Sequence, residues 1–130
     1  MGRHIAAQSL TPTVLLSSAA PRARQTTEAV TQAFDPAPEV SYSEELYVAM
    51  PQTWLDEIAG VDSACECLLL VGHNPTMEAL VALLTGQGAG MSTANVARVE
   101  VEIDEWRELA EGQGGELVAV WRPEDRTSAE

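Results

Sequence analysis

Residues 67–84, CLLLVGHNPTMEALVALL, constrain the fold more than any other stretch of this 130-residue chain. The unbroken apolar run at residues 68–71 is typical of a strand that is buried on both faces in a parallel sheet. Asn74 is a good N-cap and Pro75 fits the first turn of a helix, so a helix is expected to begin here and to end at Gly86. The stretch therefore predicts a strand, a tight turn and a helix in immediate succession.

His73 lies in that turn, between the carboxyl end of the predicted strand and the amino end of the predicted helix. Open α/β sheets bind their ligands at this edge. The free N–H groups and the dipole at the start of a helix attract anions. The sequence therefore predicts an anion-binding site that combines His73 with the backbone N–H groups that follow Asn74.

A second unit of the same kind comes earlier in the chain. Residues 14–16 (VLL) predict a short buried strand, and apolar residues at helical spacing predict a helix over residues 22–34. Arg22 opens this helix, and the planar guanidinium of an arginine is suited to gripping a phosphate. If the two strands are parallel, Arg22 and His73 meet at the same edge of the sheet and face a common tetrahedral anion.

Composition excludes several classes of partner. A chain of 130 residues with 45% hydrophobic residues suits a single globular domain, residues 1–130, and no apolar run approaches membrane-spanning length. The first residues lack the pattern of a signal peptide, so a cytoplasmic location and no membrane partner are expected. The net charge of −13 argues against binding to nucleic acid, and any bound anion must be held by local groups.

The two cysteines, Cys65 and Cys67, are separated by a single residue. This spacing is neither the usual one for zinc nor that of a C-x-x-C redox pair. We therefore expect reduced structural thiols and no metal.

The remaining sequence predicts further elements around the two units. Alternating apolar and charged residues at 97–103 indicate a half-buried strand, and residues 117–121 indicate another, which we expect to be its antiparallel partner at the edge of the sheet. Residues 44–60 predict a loop and an amphipathic helix, and residues 2–10 resemble the end of a helix. Together these elements predict an α/β fold with a mostly parallel sheet.

Three motifs follow one another along the chain: SSAAPRARQT at residues 17–26, EELY at 44–47 and LLLVGHNP at 68–75. With this order and spacing the chain resembles the histidine phosphatase (phosphoglycerate mutase-like) superfamily, and it is similar to the SixA-type phosphohistidine phosphatase branch. The S-x-x-x-R-A-x-Q-T motif combined with G-H-N-P is a strong signal, whereas either alone would be weak. The resemblance implies a three-layer αβα domain with an antiparallel C-terminal edge.

The resemblance also implies a mechanism. In this superfamily a histidine of an R-H-G motif attacks phosphorus, while arginines and a second histidine hold the phosphoryl oxygens. Carried over by motif, the second arginine is Arg22 and the second histidine is His73, with Asn74 beside them as part of the phosphate site. The implied substrate is a phosphorylated protein histidine or a small phosphorylated compound, with no metal or other cofactor.

The chain departs from the family because it contains no R-H-G. Arg3 and His4 are followed by Ile5, and no strand precedes them, so His4 is interpreted as part of a helix end and not as the nucleophile. The domain is thus expected to be N-terminally incomplete and inactive in this form. Either a segment is missing from the sequence, or the chain is truly truncated, or another molecule supplies the strand; the first is favoured because a missing central strand exposes unpaired edges.

Other polar residues have two interpretations each. Glu44 or, preferably, Glu45 could be a proton donor, against the alternative of a solvated loop carboxylate. Ser18 could contact phosphate or cap a helix. Arg24 is expected to point to solvent or to pair with Glu28 one helical turn later.

Two rival functions remain open. A non-catalytic module could use Arg22 and His73 to hold phosphate or phosphohistidine without hydrolysing it. A generic α/β domain with an accidental pocket would instead place these two residues far apart. The sequence leaves the physiological substrate and the oligomeric state undetermined.

Overall fold

A computed structural model describes residues 11–46, 50–88, 96–109 and 114–121. Strands and helices alternate along most of the chain, which confirms the predicted α/β class. In order, the elements are β1 (Val14–Ser18), α1 (Pro21–Thr31), β2 (Glu39–Ser43), a one-turn 3-10 helix (Glu44–Leu46), α2 (Pro51–Ala59), β3 (Leu68–Val71), α3 (Thr76–Thr85), β4 (Val96–Val101), a second 3-10 helix (Trp106–Leu109) and β5 (Gly115–Trp121). The helix end predicted at residues 2–10 lies outside the described residues.

Among the described residues the main sheet has three strands in the order β2-β1-β3, and both pairings are parallel, as predicted. Leu15 of β1 stands beside Val40 of β2 on one side and Leu69 of β3 on the other. Because β1 has a neighbour on both sides, residues 15–18 are buried. The carboxyl ends of all three strands therefore open on the same edge of the sheet.

Helices cover both faces of this sheet. Successive residues of a strand point to opposite faces. Leu16 packs into the apolar cluster that α2 and α3 form on one face, whereas Ser17 receives a hydrogen bond from Thr27 of α1 on the other. This arrangement is the three-layer αβα architecture that the resemblance implied.

The apolar run in β3 is less buried than its sequence predicts. All four residues, Leu68–Val71, are half-buried, in contrast to the buried residues of β1. The prediction of a strand buried on both faces is wrong for β3, because within the described residues it pairs with β1 alone and its other side has no strand. Full burial belongs instead to the central strand.

Strands β4 and β5 pair in antiparallel fashion, as predicted, and form a ladder of their own. Helix α3 packs against this ladder. A side chain at Gly115 would lie 2.9 Å from the backbone carbonyl oxygen of Leu84, so the absence of a Cβ permits the close approach of β5 to α3. The antiparallel pair is thereby tied to the helical layer.

The core joins α2 and α3 to the sheet. Its buried members are Leu16, Leu46, Trp54, Leu55, Ile58, Leu80, Leu84 and Leu109. Trp106 borders this cluster and donates a hydrogen bond from Nε1 to the carbonyl of Cys65 at 2.9 Å, which fixes the second 3-10 helix to the loop before β3. Burial, with a smaller contribution from Cys65, raises the pKa of the Cys67 thiol and favours its protonated form.

Helix α3 ends where the sequence predicts, whereas α1 ends earlier. Gly86 adopts a left-handed conformation (φ 75°) and donates its N–H to the carbonyl of Ala82 at 2.8 Å, which confirms the predicted stop of α3. Helix α1 ends at Thr31, earlier than predicted, because the N–H of Phe34 closes a turn onto the Thr31 carbonyl. None of the helices in the described ranges is both long and apolar enough to cross a membrane.

We expect Leu55→Ala to destabilise the fold strongly. The Leu55 side chain is 0% exposed and lies at the centre of the core, so its truncation should lower the free energy of unfolding by about 2–5 kcal/mol. Urea unfolding measures the change. Leu83→Ala is the matched control because Leu83 is 43% exposed, and equal losses in both variants would contradict this description of the core.

Candidate active site

The site forms where β1 and β3 end side by side. Ser17 of β1 pairs with Val71 of β3, so the turn that follows β1 and the loop that follows β3 start next to each other. Between them lies an open cavity of about 430 Å³ that is lined by Ala20, Pro21, Arg22 and His73. We call it the Arg22–His73 cavity. The structure thus brings together the two residues that the sequence placed on one edge, and a generic domain with these residues far apart is excluded.

Arg22 stands in the first turn of α1. Ala20 precedes the helix in an extended conformation, Pro21 occupies its first position, and no side-chain hydrogen bond caps this end. Arg22 is exposed, so its guanidinium is accessible to a ligand. The cavity therefore combines a cation with the positive end of a helix of 11 residues, two features that both favour an anion.

Ser18 connects the two sides of the cavity. Its Oγ accepts a hydrogen bond from the backbone N–H of Ala20 at 3.2 Å and lies 3.1 Å from Nε2 of the half-buried His73. Ser18 is not the N-cap of α1, because Ala20 occupies that position, and its hydroxyl instead holds the turn before the helix; a contact of Ser18 with phosphate stays a prediction. Its contact with His73 was not predicted, although Ser18 begins the S-x-x-x-R motif.

A buried hydrogen-bond chain supports the end of β1. Thr27 Oγ1 donates to Ser17 Oγ at 2.9 Å, and Ser17 Oγ donates to the backbone carbonyl of Ser18 at 2.9 Å. All three residues are fully buried, so these bonds are shielded from competing water. The strand end that carries Ser18 is thereby fixed to α1.

Gly72 holds the loop after β3, which forms the other side of the cavity, close to the core. A Cβ at this position would lie 2.6 Å from Cζ2 of Trp54 and 2.7 Å from Sδ of Met77. Only glycine allows the loop after β3 to lie this close to the core, and His73 is the next residue along the chain. The sequence identified Gly72 as the end of the strand but gave no sign of the contact with Trp54.

The helix that follows His73 begins later than predicted. Helix α3 starts at Thr76, Pro75 occupies the cap position, and the part of the chain that the structure describes contributes no side-chain cap to this helix. The prediction of Asn74 as N-cap is wrong because the N–H of Met77 donates to the carbonyl of His73 at 3.0 Å, which closes a turn before the helix. Asn74 is exposed and does not line the Arg22–His73 cavity, so its role in phosphate binding stays a prediction.

The remaining candidates stand around this edge. Glu44 and Glu45 are exposed in the 3-10 helix after β2 and do not line the cavity, and a proton-donor role for Glu45 stays a prediction. Arg24 is exposed, as predicted, but its guanidinium lies 4.2 Å from the ring centre of Tyr42 and its Nε donates to the Ala19 carbonyl at 3.0 Å. Arg24 therefore stabilises the turn before Arg22 instead of pairing with Glu28. His4 lies outside the described residues.

A second depression is unsuited to an anion. Its volume is about 310 Å³, and Glu102, Ile103, Asp104 and Glu108 line it. The carboxylate of Glu108 accepts the backbone N–H groups of Glu105 and Asp104, and these bonds lower its pKa. Negative charge at this place repels phosphate, and in the described part of the chain no group of three or more His, Cys, Asp or Glu residues is arranged to hold a metal ion.

Several solved structures with the same fold are SixA proteins. A candidate phosphohistidine phosphatase SixA from Nakamurella multipartitia is 27% identical, with a TM-score of 0.79 over 94% of this chain and 77% of that chain. A candidate phosphohistidine phosphatase SixA from Agrobacterium tumefaciens is 30% identical, with a TM-score of 0.75 over 94% of this chain and 75% of that one. A protein histidine phosphatase SixA in complex with tungstate shares the fold at 21% identity and a TM-score of 0.74.

Relatives among curated proteins come from mycobacteria. An uncharacterised protein of Mycobacterium leprae is 34% identical in an alignment of 119 positions that covers 84% of this chain and 70% of that protein. An uncharacterised protein of Mycobacterium tuberculosis is 46% identical over 70 residues, which are 54% of this chain and 42% of that protein. No protein-family model matches the chain.

We expect Gly72→Ala to disturb the loop that holds His73. The added methyl would overlap Trp54 and Met77, and relief of such overpacking costs about 1–3 kcal/mol of stability. Urea unfolding and the NMR signals of the His73 ring measure the two effects. Gly88→Ala is the control because a Cβ there meets nothing within 4 Å, and an unchanged His73 signal in Gly72→Ala would contradict the close packing.

Proposed function

Because the chain belongs to the SixA-type branch of the histidine phosphatase superfamily, we propose that the Arg22–His73 cavity binds the phosphoryl group of a phosphorylated histidine or of a small phosphorylated compound. One observation supports this proposal above the others. Arg22 and His73, which come from two separate motifs, line the same open cavity at the carboxyl edge of a parallel sheet. Parallel α/β sheets place their ligand sites at this edge.

The residues around the cavity suit the charge of a phosphoryl group. Arg22 can donate two parallel hydrogen bonds to a pair of phosphoryl oxygens, and His73 can contact another oxygen from the opposite wall. The first turn of α1 adds its N–H groups and its dipole. Phosphoryl transfer depends mainly on positioning and on stabilisation of negative charge, and these groups supply both.

The proposed binding has to overcome the charge of the whole chain. A net charge of −13 repels an approaching phosphate at long range. Attraction must therefore come from groups within a few ångströms, where screening by solvent and salt is weakest. This makes Arg22 the largest expected contributor to phosphate affinity.

The nucleophile is the part of the mechanism for which these residues offer no candidate. The superfamily uses the histidine of an R-H-G motif, and the two histidines of this sequence are His4, which is followed by Ile5, and His73. We assign His73 the role of the second, phosphate-binding histidine. The 130 residues alone are therefore proposed to bind phosphate without turning over a phosphorylated substrate.

The alternative function is a non-catalytic module that recognises phosphate or phosphohistidine. It uses the same two residues in the same cavity, so binding alone does not separate it from an enzyme. What separates them is hydrolysis by the product of the complete coding sequence. The chain spans 70% of the M. leprae relative and 42% of the M. tuberculosis relative, so the activity of a whole protein has to be measured on a whole protein.

We expect Arg22→Ala to weaken the binding of inorganic phosphate at least tenfold. Hydrogen bonds to charged groups contribute about 1.5–3 kcal/mol, and about 1.4 kcal/mol corresponds to a tenfold change in affinity. Titration of the 15N-labelled protein with phosphate, followed by NMR, measures the Kd. His73→Gln should weaken binding by a smaller factor, because the amide retains a hydrogen-bonding group without the imidazole.

Arg107→Ala is the matched control for the loss of one positive charge. Arg107 is 73% exposed in its side chain and pairs with Glu105, and it does not line the cavity. Its removal should leave the Kd for phosphate within about twofold of the wild type, because exposed charges act weakly at a distance. Equal losses of affinity in Arg22→Ala and Arg107→Ala would count against a site at Arg22.

We expect no release of phosphate from phosphohistidine by the 130 residues, and we expect His4→Ala to change nothing. Release is measured as inorganic phosphate over time, in parallel with the product of the complete coding sequence. Release by the complete product alone supports an enzyme. Release by neither, with binding retained, favours the non-catalytic module, and turnover by the 130 residues that His4→Ala abolishes would overturn our assignment of the nucleophile.

A further inference from the structure

Ser18 occupies a special place beside the Arg22–His73 cavity. It ends β1, its side chain is fully buried, and its Oγ contacts both the N–H of Ala20 and Nε2 of His73. Ala20 belongs to the turn that leads into Arg22. A single buried hydroxyl therefore contacts both the turn that presents the arginine and the ring that forms the opposite wall.

The hydrogen-bonding capacity of a serine limits what this contact can be. A hydroxyl has one proton to donate and two lone pairs that accept. The N–H of Ala20 occupies one lone pair of Ser18, and the proton of a buried hydroxyl needs an acceptor. In the part of the chain that the structure describes, the other hydrogen-bond partner of Ser18 Oγ is Nε2 of His73.

This accounting favours Ser18 as the donor and Nε2 of His73 as the acceptor. If Ser18 donates to Nε2, that nitrogen carries no proton, and the single proton of the neutral ring lies on Nδ1. The hydrogen bond that one ring nitrogen makes determines the state of the other. The buried chain from Thr27 through Ser17 to the carbonyl of Ser18 holds the strand end in place, so the hydroxyl is presented from a rigid support.

We propose that Ser18 is a positioning residue that holds the neutral His73 ring as the Nδ1–H tautomer and fixes its orientation at the wall of the cavity. Without the hydroxyl, Nε2 of His73 loses the donor that keeps it unprotonated, and the N–H of Ala20 loses its acceptor. The turn that leads into Arg22 and the ring of His73 are then both held less firmly. The consequence for phosphate binding rests on the proposed function, whereas the tautomer follows from the geometry of the ligand-free protein.

The tautomer is measured directly by 15N NMR of the imidazole nitrogens in the 130-residue protein without ligand. The sequence contains two histidines, so two ring spin systems are expected, and His4→Gln identifies the one that belongs to His73. Spectra are recorded at a pH where further increase leaves the ring shifts unchanged, so that the ring is neutral. We expect a protonated Nδ1 and an unprotonated Nε2 for His73 in the wild type.

Ser18→Ala is the variant that removes the hydroxyl. We expect the His73 ring to lose the Nδ1–H signature, and inorganic phosphate to bind about three- to tenfold more weakly, as for the loss of one hydrogen bond. Ser43→Ala is the matched control: Ser43 ends the neighbouring strand β2, its Oγ donates a hydrogen bond to Oε1 of Glu57 at 3.3 Å, and it does not line the cavity. It removes the same hydroxyl group while the His73 tautomer and the Kd for phosphate stay as in the wild type.

Each outcome decides the proposal. An Nε2–H tautomer in the wild type overturns it without any variant, so a failure of Ser18→Ala to fold leaves the test intact. An Nδ1–H tautomer that persists in a folded Ser18→Ala, or that is lost equally in Ser43→Ala, also overturns it. A wild type that shows the expected tautomer but binds no phosphate contradicts the proposed function and leaves the role of Ser18 supported.

Discussion

The parallel pairing of β1 with β3 is the interaction on which the rest of this structure depends. It puts two strand ends side by side, with Ser17 beside Val71, and each strand continues into a turn and a helix. Arg22 follows one strand and His73 follows the other, although 50 residues separate them in sequence. A parallel sheet requires such crossovers, and the same crossovers bring the helix starts to a common edge.

The loops that follow β1 and β3 at this edge are held in place by contacts with the core and with α1. Gly72 lies against Trp54 in the core, and Ser17 is bonded to Thr27 in α1. The side chains that face the cavity are therefore attached to the two layers of helices through short, buried connections. A site that binds an anion in a chain of net charge −13 needs this support, because its few donors must stand in place before the ligand arrives.

Much of the fold was predictable because the sequence carries strong local patterns. The apolar runs, the prolines at helix starts and Gly86 at a helix end each reflect a local preference of the backbone. Where the sequence failed, the missing information was not local. The LLLV run predicts a fully buried strand, yet β3 is half-buried, because burial depends on how many neighbours a strand has and not on its own composition.

The contrast between local and non-local information also applies to the Arg22–His73 cavity. The amino-acid sequence by itself determined that an arginine and a histidine follow two apolar strands, and its motifs were sufficient to indicate the family. The stacking of Arg24 on Tyr42 and the contact between Ser18 and His73 were decided only by tertiary structure. Each of these depends on which groups from distant parts of the chain compete for one hydrogen bond or one surface, and that competition exists only once the chain has folded.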